Sequence, residues 1–93
     1  MTDKRVTIKV SGNVQGVSFR SYAKSAADQM GVRGYVKNLQ DGTVEIVAEG
    51  DEFDVLSFIQ FVRSGSPGSV IDTFDSQWSD SKNEFSSFDV IKT

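Results

Sequence analysis

The sequence predicts an α+β sandwich. The order is β-α-β-β-α-β, with an antiparallel sheet, two helices on one face and a short extra C-terminal strand. Three observations carry this reading. Val6, Ile8 and Val10 alternate with polar residues at period two, as do Val44, Ile46 and Ala48. Two segments, from Phe19 to Met30 and from Val55 to Val62, switch to helical periodicity. Asp41-Gly42 then marks a tight turn between the second and third strands.

Each element has its own local reason. The first strand runs into Gly12-Asn13-Val14-Gln15-Gly16, a loop whose glycines allow conformations other residues avoid. Phe19, Tyr22, Ala23, Ala26, Ala27 and Met30 share one helix face, with Ser18 placed to cap the start and Gly31 just past the end. Gly34-Tyr35-Val36-Lys37-Asn38 reads as the second strand. Asp51 is placed to cap the second helix, whose stripe is Val55, Phe58, Ile59 and Val62. Leu56 and Phe61 widen that stripe, which predicts a well-buried side. Ser64-Gly65-Ser66-Pro67-Gly68 ends the helix. Phe74, Ser76 and Trp78 give a fourth strand, and Phe85, Phe88 and Val90 a short last one. This is the order of the ferredoxin-like sandwich, which hosts enzymes, sensors and RNA binders and supplies no function by itself.

Composition narrows the function classes. The 93 residues fit one domain, 1–93, with a single core. No apolar run nears the ~20 residues that cross a bilayer, so no membrane partner is expected. The first residues lead into a strand pattern and not into an apolar leader, which predicts a cytoplasmic protein. A monomer is the default for so small a domain. There is no Cys, hence no disulfide, thiolate nucleophile or zinc-thiolate site. There is no His, hence no Ser-His-Asp triad and no imidazole ligand. We expect neither metal nor other cofactor. The net charge of −3 lacks the broad positive field that nucleic acids require. A local anion site is still compatible with that charge, because backbone amides and one Arg suffice to bind phosphate.

The loop before the first helix is the place for such a site. A strand that feeds a helix N-terminus brings unpaired N–H groups and the positive end of the helix dipole together. Curled glycine-rich backbone points successive amides inward. Arg20 lies on the first helical turn, and its guanidinium can fork onto two phosphate oxygens. The plainer reading is a strand-helix connection with a surface Arg. Asn38 ends the second strand. It reads either as a turn residue ahead of Asp41-Gly42 or as a neutral amide that holds a water by donating and accepting at once.

Together these segments resemble the acylphosphatase family. Its signatures are a Gly-x-Val-Gln-Gly-Val-x-Phe-Arg loop and a Gly-aromatic-Val-Lys-Asn strand followed by Gly-x-Val and a later Gly. The first stands here as Gly12-Asn13-Val14-Gln15-Gly16-Val17-Ser18-Phe19-Arg20. The second stands as Gly34-Tyr35-Val36-Lys37-Asn38, then Gly42-Thr43-Val44 and Gly50. The resemblance spans the chain, including Gly65-Ser66-Pro67-Gly68 and Trp78. It implies hydrolysis of acyl phosphates, small-molecule substrates, to a carboxylate and inorganic phosphate. It implies Arg20 and Asn38 as the catalytic pair, Arg20 binding phosphate and Asn38 placing water. It also implies a phosphate cradle of Asn13, Val14, Gln15, Gly16, Val17, Ser18, Phe19 and Arg20. Departures are small: Leu39 follows Asn38 where many members have Thr, Ser66-Pro67 replaces Pro-Pro, and the chain ends Lys92-Thr93 rather than in an aromatic.

The residue inventory suits that substrate. A carboxylate leaving group has an acid pKa of roughly 4, by analogy with Glu, and departs without a general acid. An alkoxide would need an acid or a metal, and no motif here supplies either. Three alternatives use the same sequence differently. One is a non-catalytic phosphate- or carbamoyl-phosphate-binding module of the hydrogenase-maturation kind, although this chain ends where such a module would continue. An RNA-recognition sandwich would want exposed strand aromatics and a basic face, against Glu45 and Glu49 here. A structural interaction protein would use the Phe-rich second helix, which core packing explains better.

Overall fold

The fold is described from a computed structural model over residues 3–15 and 19–91. The elements are β1 (Asp3–Asn13), α1 (Phe19–Met30), β2 (Arg33–Asn38), β3 (Val44–Asp51), α2 (Glu52–Arg63), β4 (Val70–Asp80) and β5 (Phe88–Ile91). They form one five-stranded sheet in the order β4-β1-β3-β2-β5. β3 pairs antiparallel with both β1 and β2, so β1 and β2 run in the same direction on either side of it.

Period two decides which face is buried. Val6, Ile8 and Val10 of β1, Val44, Ile46 and Ala48 of β3, and Val36 of β2 all face the helices and are fully buried. Phe19, Ala23, Ala26 and Ala27 of α1 and Val55, Phe58 and Val62 of α2 complete this core. Phe58 meets Phe88 of β5, ring centroids 5.6 Å apart. Burying each such large side chain contributes about 1.5–3 kcal/mol.

Four expectations need correction. The sheet is not antiparallel throughout, because β5 pairs parallel with β2. The chain reaches it by crossing from the β4 edge to the opposite edge. Phe85 lies outside the last strand, on that crossing. It packs edge-on against Tyr35 at 5.9 Å and under the Arg5 guanidinium at 5.4 Å. On the same open face, buried Glu49 accepts hydrogen bonds from Arg5 (3.3 Å) and the Lys82 main chain (2.9 Å). Asp51 occupies the N-cap position of α2, but its side chain makes no capping bond. Finally, Leu56 and Phe61 do not widen the buried stripe; both are exposed. At about 100° per residue, Leu56 and Phe61 fall about 100° and 120° to either side of Val55, outside the narrow arc of Val55, Phe58 and Val62.

Candidate active site

β1 and β2 end at the same end of the sheet. Val10 of β1 lies opposite Val44 of β3, and Val44 lies opposite Asn38 of β2. This single cross-sheet row carries Asn38 to the level where β1 gives way to the loop. A register shift between Ser11 and Gly12 bends β1 just before that point. Asn38 stands two residues after buried Val36 and therefore projects to the helix face of the sheet. α1 follows β1, packs on β2, and starts at this same end. Its first turn carries Arg20, which is half-buried. The fold thus places the end of β1, the first turn of α1 with Arg20, and Asn38 on one face at one end of the sheet.

The members of the expected cradle take different positions. Asn13 is the last residue of β1, in register with Val70, and its side-chain amide points to Gly68 O at 3.5 Å. Val14 is buried in the core, as is Phe19, the first residue of α1. Gln15 reaches across to the β2–β3 turn, where its Nε2 donates to Leu39 O (3.0 Å) and Thr43 O (2.9 Å). Gly16, Val17 and Ser18, with the expected Ser18 cap, lie outside the described residues.

The two helix starts differ electrostatically. α2 carries Glu52 and Asp54 in its first turn, so its own carboxylates occupy the positive end of its dipole. α1 has no acid in its first turn and carries Arg20 there instead. Among the described residues, the start of α1 sets a guanidinium, and no carboxylate, at the positive end of a helix dipole, a combination that suits an anion. Among the described residues Arg20 has no hydrogen-bond or ion-pair partner. Asn38 Oδ1 is buried and likewise lacks a partner among the described residues. An unpaired buried acceptor costs free energy, so its retention at this spot favours a use for it.

The turn that follows Asn38 is tightly specified. Leu39 N donates to Thr43 O at 2.8 Å, and Gly42 N to Leu39 O at 3.2 Å. Asp41 accepts from the Thr43 hydroxyl and main-chain N, the latter at 3.0 Å, and pairs with Lys9 at 3.3 Å. These bonds, the Thr43 hydroxyl first, lower the Asp41 pKa to about 2. A depressed carboxyl pKa stabilises the fold above the ordinary value and loses that contribution as pH falls through the folded value. The turn should therefore hold from neutral pH down toward pH 2. In a carboxyl-resolved NMR titration we expect an Asp41 midpoint near 2. Thr43→Val should move it up toward the ordinary 3.8. A wild-type midpoint already at the ordinary value would remove this role for Asp41.

The sequence singled out the loop, Arg20 and Asn38, but not the side chain of Gln15 as the link between loop and turn. A Gln beside Gly in a loop carries no signal of which distant carbonyls it will meet.

Comparison with known proteins identifies the family. A family model described as acylphosphatase matches residues 6–90. An acylphosphatase of Pyrobaculum calidifontis is 42% identical over 90 residues, covering 96% of this chain and 82% of that protein. One from Caldanaerobacter subterraneus is 36% identical over 87 residues, covering 94% of this chain and 97% of that protein. The crystal structure of acylphosphatase from Bacillus subtilis superposes with a TM-score of 0.91 at 39% identity, covering 95% of this chain and 98% of that one. On a family match that covers most of its length, with relatives about 40% identical, the chain belongs to the acylphosphatase family, enzymes that cleave acyl phosphates into a carboxylate and inorganic phosphate.

Proposed function

We propose that Arg20 and the loop amides grip the phosphoryl group while Asn38 aims water in line with the departing carboxylate. The observation that carries this reading is the row Val10–Val44–Asn38, which sets Asn38 level with the loop that leads into Arg20. Phosphoryl transfer asks mainly for positioning and charge stabilisation, and this chain offers both without an imidazole. The guanidinium and amides meet the equatorial oxygens as charge shifts in the transition state. The Asn38 carboxamide can donate through Nδ2 to a water oxygen, which holds that water in a fixed direction. The carboxylate departs as a stable anion, so the proposed mechanism uses no general acid and no metal. The proposal extends to a monomer that works in the cytoplasm.

The test is hydrolysis of benzoyl phosphate in saturating chelator. We expect turnover to survive the chelator. Asn38→Ala should depress kcat while inorganic phosphate still competes normally. Abolition by chelator would overturn the metal-free mechanism. Lost phosphate affinity in a folded Asn38→Ala would assign Asn38 to binding instead.

A further inference from the structure

We propose that the Gln15 side chain is a positioning residue, a clasp that fixes Asn38 against the phosphate cradle. The inference rests on the Arg20–Asn38 reading and deepens it. Both hydrogens of the Gln15 carboxamide are used, on two carbonyls that lie 24 and 28 residues downstream. Each carbonyl already accepts a main-chain bond that closes the turn: Leu39 O from Gly42 N and Thr43 O from Leu39 N. Gln15 fills the second acceptor position of each. It therefore grips both ends of the turn at once.

Leu39 is the peptide neighbour of Asn38, so holding its carbonyl holds the backbone from which the Asn38 side chain projects. Asn38 Oδ1 has no partner of its own among the described residues. Its direction is consequently set by backbone placement, and Gln15 is the tie between that backbone and the loop. The chemistry requires a neutral donor. A carboxylate at position 15 would set its oxygens against two carbonyl oxygens and add negative charge beside an anion site.

The experiment uses the whole chain with benzoyl phosphate as substrate and inorganic phosphate as competitor. Wild type, Gln15→Met, Gln15→Glu, Asn38→Ala and the Gln15→Met/Asn38→Ala pair are compared, with thermal melts alongside. Met keeps the length of the side chain and removes both donors. We expect Gln15→Met to lower kcat by about 10- to 100-fold, the scale of a small misplacement of a reacting group. The inhibition constant of phosphate should move by no more than about threefold, because Gln15→Met keeps the main-chain amide of position 15 and leaves Arg20 untouched. On the Asn38→Ala background Gln15→Met should cost no further kcat, since it acts through Asn38.

Wild-type kcat in folded Gln15→Met overturns the proposal, as does a full multiplicative loss in the double variant. If Gln15→Met does not fold, Gln15→Glu decides. Its protonated carboxyl can donate one bond, so its kcat relative to wild type should rise as pH falls through the carboxyl range. A flat ratio overturns the clasp. Activity lost in Asn38→Ala but kept in Gln15→Met rejects the clasp alone. Wild-type kcat in Asn38→Ala rejects the underlying reading and the clasp with it.

Discussion

Arg20→Lys should lower kcat/KM by about 30- to 150-fold while leaving the fold intact. Lys keeps a positive charge at the start of α1, so the variant isolates geometry from charge. What it loses is the planar fork that meets two phosphoryl oxygens together. Charge-assisted hydrogen bonds contribute about 2–3 kcal/mol, and each 1.36 kcal/mol is tenfold in rate, which gives the expected range. The loss should appear in both phosphate affinity and kcat, because the same donors hold product and transition state. Stability should change little, since Arg20 makes no hydrogen bond or ion pair among the described residues. The measurement is steady-state hydrolysis of benzoyl phosphate with a thermal melt beside it. Near wild-type kcat/KM in a folded Arg20→Lys would remove Arg20 from the phosphate site and leave the start of α1 as an ordinary strand-helix connection.

Much of the architecture was legible because local periodicity and burial agree. Ala23, Ala26 and Ala27 repeat on one face of α1 and are buried there. Val6, Ile8 and Val10 alternate and are buried on one face of β1. Where pattern and burial part, the cause lies in what sits opposite. Leu56 and Phe61 look like stripe residues, yet α2 meets the sheet along a narrower arc. Trp78 lies on the helix face beside Val6, but β4 is the sheet edge and the ring stays 43% exposed. Phe85 continues an apolar pattern, but the crossing beneath the sheet recruits it for Tyr35 and Arg5.

The candidate site divides in the same way. Arg20 and Asn38 stand out as candidates in the sequence because a loop motif and a strand motif each carry chemistry in their residue types. Their placement at one end of the sheet was not legible, since β3 separates their strands and only the pairing register aligns them. Gln15 was legible as part of a motif and not as a bridge. Its partners are main-chain carbonyls, which every residue has and no sequence distinguishes.

Gly34→Ala should be the most damaging small substitution away from the reacting groups. Gly34 has φ of +145°, which side-chain-bearing residues rarely adopt, and it lies opposite Ala48 of β3 and Phe88 of β5. An added Cβ would overlap Val47 O, far inside any carbon–oxygen contact distance, with Val47 C at 2.7 Å and Ala48 Cα at 3.1 Å. All three atoms are backbone, so no side chain can rotate out of the way. Backbone strain of about 1–3 kcal/mol and overpacking of a similar size together give roughly 2–6 kcal/mol. A domain of this length has about 5–14 kcal/mol in total, so the melting temperature should fall by roughly 10–40 °C. Gly50→Ala is the matched control. Its Cβ would meet Val55 Cγ2 at 3.7 Å, an ordinary contact, and should shift stability by no more than about 1 kcal/mol. The comparison bears on catalysis because Gly34 presses β2 against β3 four residues before Asn38. If the two variants melt alike, β2 can move off Val47 without penalty, and the proposed water-aiming carboxamide rides on a strand free to shift.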